Sequence, residues 1–535
     1  MRMEALPLQT AAPSTPLADP PARPPYAVAR KHLFLYLLAC ATYLYLILFI
    51  PPWTPAWTGY NDGMVFLNEG RRMLAGELPY RDYFQFNAPG PDAFFWACFQ
   101  LLGAHLWVAN LAMLLMGLGF ARLSVVIGRR LLPAPLVYLP GALFLLFAYG
   151  LSPDPTHHWF SSLAATAALA VMVGKRDLYR LAITGALCAL AATFTQTRGC
   201  FALCGFAIFL LWEGRGEKKP WRILWVEQAC LLLGFLVTLV AANLYFVWKA
   251  GIYKFVECTL VYLFKFAPAD RTWNSWRVLY TPLGGHSLRD LGKIPFWLVA
   301  ECVVPAVYLC CFVRQGRVLW TRARKTPDIP LFIAFVGFWL YLSIALAPAR
   351  QRILPGAVPA MILLCWLVGS RRRLDRVLRS MLWAGALLLA VGLVALRQIR
   401  PRFVLQAVTG PVAFANQNEF EEFEWVRLHT KPAQYFFHCQ RPWFNFLFDL
   451  RDPAEIFTLT NTDYTRPEHV ANLIRGLDQH QVHYVAWNPR LDSHAPWNDP
   501  SGDHLDPLRE YLHARYRPTK TFSTGDYLWE RIDPP

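Results

Sequence analysis

The chain has 535 residues, 55% of them apolar and only 16% charged, with a formal net charge of +16. The charges cluster between apolar runs long enough to cross a bilayer, which excludes an ordinary water-soluble globular protein of this size. From Arg400 onward there are 14 Lys and Arg against 18 Asp and Glu, so the basic excess lies in the apolar part. It sits in short loops, as the positive-inside rule requires of a membrane protein, and forms no basic stripe that would bind nucleic acid.

In chain order, residues 1–30 are rich in Pro and Ala and are expected to form a disordered cytoplasmic N-terminus. The run 32–51 follows Arg30-Lys31, is too long for a signal-peptide core and has no small-residue cleavage site after it. It therefore reads as an uncleaved signal anchor. Further spans are predicted at 105–128, 134–150, 158–174, 179–195, 200–213, 224–248, 295–313, 329–347, 352–369 and 379–397, giving about eleven membrane helices. The stretch 91–103 is apolar but too short to cross, which places it in the interface as a juxtamembrane helix.

That choice makes every second loop basic. The cytoplasmic loops then carry Arg129 and Arg130; Lys175, Arg176 and Arg180; Arg215, Lys218, Lys219 and Arg222; Arg314, Arg317, Arg322, Arg324 and Lys325; and Arg371, Arg372, Arg373, Arg376 and Arg379. Counting 91–103 as a span would put the later basic loops outside, against the rule. An odd number of crossings carries the C-terminus out. The expected organisation is an all-α polytopic domain over 31–398, with a first outer loop at 52–104, and a small extracytoplasmic α/β domain over 399–535. In that last domain the predicted elements are a helix at 467–479, a strand at 482–487, a helix at 505–516 and a strand at 527–532. Most of the 12 cysteines lie in apolar runs, where Cys acts as a small hydrophobe, and none has zinc spacing.

The first outer loop carries the chemistry. Asp62 follows Tyr60-Asn61 and opens a helical stretch in which Phe66, Leu67, Gly70, Met73 and Leu74 share one face and Asn68, Glu69, Arg71 and Arg72 the other. Such a helix lies on the membrane surface with Asp62 at its start. On residue type, Asp62 is either an N-cap in an Asn-Asp-Gly turn or a base for a hydroxyl acceptor. Arg81-Asp82 is either a surface ion pair or a substrate contact.

The succession of a first span, an acidic residue opening an interfacial helix, the run GELPYRDYFQFNAPGP and a second juxtamembrane helix resembles the GT-C glycosyltransferases. It is most similar to the bacterial branch related to protein O-mannosyltransferases and lipid A aminoarabinose transferases. The resemblance covers roughly residues 30–400. It implies inverting transfer of a sugar from a polyprenyl-phosphate donor to a lipid, glycan or protein acceptor, at the outer face of the cytoplasmic membrane. Asp62 matches the acidic residue of the first loop, the general base. Two positions depart from the pattern. Gly63 stands where many relatives have a second acid, and Ala88 stands where many have a Lys that helps hold the carrier phosphate.

Another basic residue must then hold that phosphate. Candidates in the outer loops are Arg198, Lys265, Arg271, Arg350 and Arg352, for which contact with ordinary phospholipid heads is the plain alternative. A second polar cluster contains Asp154, His157 and His158. It reads as a sugar or phosphate contact and not as a metal site, because adjacent histidines point apart and no third ligand is spaced to help. No cofactor is expected. Walker A, GxGxxG and GxSxG motifs are absent from the sequence, which suits an activated lipid-linked donor. The competing readings are a transporter or lipid flippase, disfavoured by the scarcity of charge within the spans, and a non-catalytic membrane scaffold.

Overall fold

The computed structural model describes residues 28–57, 62–134, 136–271, 274–275, 294–322, 328–369, 374–400, 402–456, 458–494 and 500–532. The Pro-rich N-terminus, Tyr60, Asn61, Arg324, Lys325, Arg371, Arg372 and Arg373 fall outside them.

The protein is mostly helical. In order come α1 (Arg30–Leu48), α2 (Asp62–Leu74), α3 (Gly90–Leu102), α4 (Leu106–Gly128), α5 (Leu139–Phe144), α6 (His157–Met172), α7 (Leu178–Phe194), α8 (Gln196–Gly216) and α9 (Trp221–Ala250). Long helices at Ile294–Arg322, Ile329–Leu342, Val358–Val368 and Leu374–Ile399 complete this part. Helical structure thus occupies every segment predicted to span. Among the described residues, five helices are long and apolar enough to cross a membrane by length and composition: α1, α4, α8, α9 and Ser380–Ile399. A sixth forms if Arg350–Gly356 and Val358–Val368, which meet at 63°, are taken as one broken span. Pro355, Gly356 and Pro359 account for the break.

The segment predicted at 200–213 is longer than expected. α8 starts at Gln196 because Thr195 is extended (φ −143°, ψ 104°) and serves as the whole corner between α7 and α8. α7 and α9 cross closely: a β-carbon on Gly185 would lie 1.9 Å from Leu231 O, and one on Gly234 would lie 2.1 Å from Ala182 O. Only glycine permits this approach, a packing mode suited to helices that lack a hydrophobic drive to associate. α9 turns Leu232, Leu233, Leu236, Val237, Val240 and Leu244 outward.

The two ends of the bundle differ. At one end Arg176 pairs with Glu213 and covers the Phe332 ring at 4.6 Å, and Lys219 pairs with Glu227 at 2.9 Å. At the other end lie the start of α2, the turn before α6, the α7–α8 corner and the broken helix.

A short antiparallel pair, β1 (Phe49–Ile50) and β2 (Thr54–Pro55), follows α1, and after Ile399 a hairpin forms from β3 (Phe403–Ala407) and β4 (Gly410–Phe414), turning at Gly410 with φ +105°. Helix Gln417–His429 follows. A four-stranded sheet has the order β5-β6-β8-β7, from β5 (Phe437–His438), β6 (Tyr484–Trp487), β7 (Tyr516–Thr521) and β8 (Tyr527–Arg531). β5 and β6 are parallel and the other pairs antiparallel. Helices Pro467–Gln479 and Asp506–Arg515 pack on it. The elements predicted here are present, and β3, β4, β5, β7 and helix Gln417–His429 are additional. The apolar core of the membrane part runs on through Phe414, Phe423, Phe444 and Phe446, whereas Leu473, Leu477, Val485 and Leu508 belong to a separate core around the sheet.

The polar face of α2 is roofed by this C-terminal part. Arg71 donates to Asp449 at 2.7 Å and to the Leu450 carbonyl at 2.6 Å, and Asn68 donates to Asp452 at 2.9 Å. Arg72 is buried against Glu77 and Asp452.

Candidate active site

Asp62 is the first residue of α2 and is exposed to solvent. Protein nevertheless packs densely around it, and that burial pushes its carboxyl above the ordinary range, while the Arg352 guanidinium works to keep it ionised. Beside it lies Asp154. A β-carbon on Gly63 would stand 2.3 Å from Asp154 Oδ1 and 2.6 Å from Pro155 Cγ. The space that a second acid at position 63 would need is therefore filled by a carboxylate from the turn before α6. Burial first, and the Asp62 charge second, push the Asp154 carboxyl well above the carboxylate range, against the Gly63 amide. Both carboxyls are therefore raised, Asp154 the more strongly, with the Arg352 guanidinium opposing the shift at Asp62.

Arg198 sits in the first turn of α8 and is fully buried. Its Nη1 donates to the His158 carbonyl and to Ser162 Oγ, both at 2.8 Å, and its Nη2 to the Arg352 carbonyl at 2.7 Å. Both terminal nitrogens of the expected phosphate-binding fork at Arg198 are thus bound to protein oxygens, while its Nε is buried without a hydrogen-bond partner among the described residues. The break at 352–358 leaves the Arg352 carbonyl without a helical partner, and Arg198 takes it. Arg352 itself reaches toward Asp62 and Asp270 and donates to Asn274 Oδ1 at 2.8 Å.

The expected divergence of His157 and His158 is also corrected. α6 begins at His157, with Thr156 as its N-cap, and the turn there leaves the two rings with centroids 4.0 Å apart. The third ligand missing from the sequence pattern is Asp62, whose carboxylate lies with one nitrogen of each ring inside 4.8 Å. His157 Nδ1 is engaged by Thr195 Oγ1 at 2.9 Å, and His158 Nδ1 is buried without a hydrogen-bond partner among the described residues. One carboxylate and two imidazoles fit a divalent cation.

Glu422, His438 and Asp526 form a second close set, but it already holds a cation. Arg441 pairs with Asp526 at 2.9 Å and Glu422 at 3.4 Å. The Gln440 amide donates to His438 Nδ1, so Nε2 carries the proton toward Asp526 and is not a free ligand.

Other expected residues lie apart. Arg81 and Asp82 pair with each other at 2.6 Å, Arg81 also donating to the Gly76 carbonyl and Asp82 accepting from the Leu78 amide. Lys265 and Arg271 are exposed, Lys265 resting 5.0 Å from the Phe266 ring centroid. Arg350, in the broken helix, interacts with Glu301. The sequence reading missed Asp270, Asn274 and Tyr464. No local pattern distinguishes them; they join the site only through tertiary contact.

No family model and no curated protein matches the sequence. The structure is similar to that of ArnT from Cupriavidus metallidurans bound to undecaprenyl phosphate, at 13% identity and TM-score 0.54, over 95% of this chain and 100% of that one. The apo structure of the same protein aligns at 14% identity and TM-score 0.54, over 94% and 99%. The apo oligosaccharyltransferase of Archaeoglobus fulgidus aligns at 11% identity and TM-score 0.46, over 95% of this chain and 75% of that one.

The chain has the GT-C fold. The residues that come together at one end of the bundle are drawn from the first outer loop, the turn before α6, the start of α8 and the broken helix. They include Asp62, Asp154, His157, His158, Arg198 and Arg352 from the sequence-derived set.

Proposed function

We propose that the protein is a membrane glycosyltransferase that moves a sugar from a polyprenyl-phosphate donor to an acceptor hydroxyl at the outer face of the cytoplasmic membrane, with inversion. The observation that carries this is that Asp62, from the first loop, and Arg352, from the break in a late helix, come to the same end of the bundle within electrostatic reach of each other. An ionised carboxylate beside a fixed guanidinium suits a reaction in which a hydroxyl loses its proton while a phosphate leaves.

In the proposed sequence the donor lies against the bundle with its phosphate on Arg352. Arg198 holds the backbone of Arg352 and so positions it. The acceptor hydroxyl approaches the anomeric carbon from the side of Asp62, which takes the proton as the new glycosidic bond forms. The bond from the anomeric carbon to the phosphate oxygen breaks, and the polyprenyl phosphate departs with the electron pair. Asp154, holding its own proton, keeps Asp62 charged. The eleven-crossing topology, with N-terminus inside and C-terminal domain outside, belongs to the same proposal. It is supported by the basic residues gathered at the end of the bundle opposite Asp62.

The test is release of radiolabelled sugar from a panel of polyprenyl-phosphate donors by the detergent-purified protein. Asp62→Asn is expected to lower turnover by about 10²- to 10⁴-fold with the melting temperature retained. Equal turnover in the variant would return Asp62 to helix capping, and failure with every donor and acceptor would overturn the transferase reading.

A further inference from the structure

Tyr464 lies in the C-terminal α/β region, 402 positions after Asp62 in sequence, yet three observations bring it to the same end of the bundle. First, its backbone is tied to the membrane part. Tyr262, in the segment after α9, donates to the Tyr464 carbonyl at 2.5 Å, and the first outer loop reaches the same region where Phe84 N donates to Glu455 O at 3.0 Å. Second, its ring closes an aromatic cluster drawn from three parts of the chain. Phe86 stands 6.1 Å and Tyr262 5.6 Å from the Tyr464 centroid, and the Phe86 carbonyl is bound by Gln196, two residues before Arg198. Third, the loop is braced before it meets the membrane part. Tyr464 N donates to Thr462 Oγ1 at 3.2 Å, Thr460 N to Thr465 Oγ1 at 2.7 Å, and Arg466 lies over the Phe266 ring at 4.1 Å.

With ring and backbone fixed, the phenol hydroxyl is the part left over. It has no hydrogen-bond partner among the described residues, and it lies within electrostatic reach of Asp270, Asp62, Glu69 and Arg352. Burial and the nearby carboxylates keep it protonated, so it can donate but does not add negative charge. A neutral donor within electrostatic reach of both a guanidinium and carboxylates is suited to an oxyanion that those carboxylates alone would repel.

We infer that Tyr464 contacts substrate, its hydroxyl donating a hydrogen bond to the phosphate of the polyprenyl donor held by Arg352. The C-terminal region thereby supplies one wall of the active site. This deepens the glycosyltransferase reading and rests on it for the identity of the ligand.

The experiment uses the full chain in detergent with undecaprenyl phosphate as probe. Binding is titrated for wild type and Tyr464→Phe, which keeps the ring and its packing, and melting temperatures are recorded alongside. The phenylalanine variant is expected to bind at least about fivefold more weakly at unchanged melting temperature. In parallel, p-benzoylphenylalanine is placed at position 464 or, as a control, at Tyr511, which is held within the domain by Asp478 and Arg531. Irradiation is expected to label position 464 with radioactive undecaprenyl phosphate and to leave position 511 unlabelled. Equal affinity of wild type and Tyr464→Phe overturns the inference, as does a wild type that does not bind the probe. If wild type transfers sugar while Tyr464→Phe matches it in binding and in kcat/KM, the transferase reading stands and the role of Tyr464 falls. If no donor is turned over but Tyr464→Phe still weakens binding, the reverse holds.

Discussion

Position 63 shows how one residue can look deficient in sequence and be required in space. Read along the chain, Gly63 interrupts an acidic pair. In the folded protein its missing β-carbon is what lets Asp154 and Pro155 close over the start of α2. Gly63→Glu, which would restore two adjacent acids, is expected to lower the melting temperature and the yield of folded protein. Overpacking of this kind costs about 1 to 3 kcal/mol or more, and thermal unfolding in detergent measures it. A variant as stable as wild type would mean that Asp154 does not occupy this space. Arg352→Lys tests the other side of the site. Lysine keeps the charge that acts on Asp62 but loses the planar fork that donates to Asn274, so turnover should fall at least tenfold with little change in stability. Asp62 and Arg352 could each be nominated from sequence because carboxylates and guanidinium groups are conspicuous in short outer loops. That they meet could not, since nothing in either loop encodes the other's position.

At the scale of elements, α2 and α3 are joined by two acids. Glu69 and Asp92 are both fully buried; Gln85 donates to Glu69 at 2.7 Å and Tyr83 to Asp92 at 3.3 Å. Burial pushes both carboxyls up, Asp92 to about 7, with Arg72 the opposing charge on Glu69. The pair therefore holds a proton that the unfolded chain releases near pH 4. The folded state binds more protons above about pH 4, so this contact loses stability as pH rises from there toward the raised carboxyl values, about 7 for Asp92. Asp92→Asn should flatten that part of the dependence, seen as a smaller difference in melting temperature between pH 4.5 and pH 7.5 than in wild type; an identical difference would exclude the shared proton. The α7–α9 crossing is tested by Gly185→Leu, which should abolish the monodisperse peak in size exclusion because the Leu231 carbonyl has nowhere to retreat. Elements built on long apolar runs were legible, since the bilayer length fixes what such a run must do. The outer strand β7 was not: Arg517, Pro518, Thr519 and Lys520 are all exposed and leave no alternation to read.

For the molecule as a whole, alternating basic loops predict the direction of the chain. Alkaline phosphatase fused after Ile532 should be active and fused after Arg130 inactive; the opposite result would invert the topology and move Asp62 to the cytoplasmic face. The change in charge and periodicity near residue 400 made a segment of mixed helices and strands legible there, and helices Pro467–Gln479 and Asp506–Arg515 and strands β6 and β8 lie where they were expected. Its docking was not, because the contacts that fasten it are polar and distant in sequence. Arg71 finds Asp449 across 378 residues and the Leu450 carbonyl across 379. A ribosome adding about 5 to 20 residues per second needs roughly 20 to 75 s to make that stretch. Throughout that interval the nascent first loop carries guanidinium groups whose C-terminal partners do not yet exist. A truncated or stalled product is left with its earliest loop unsealed, so quality control can recognise an incomplete chain at the end that was made first.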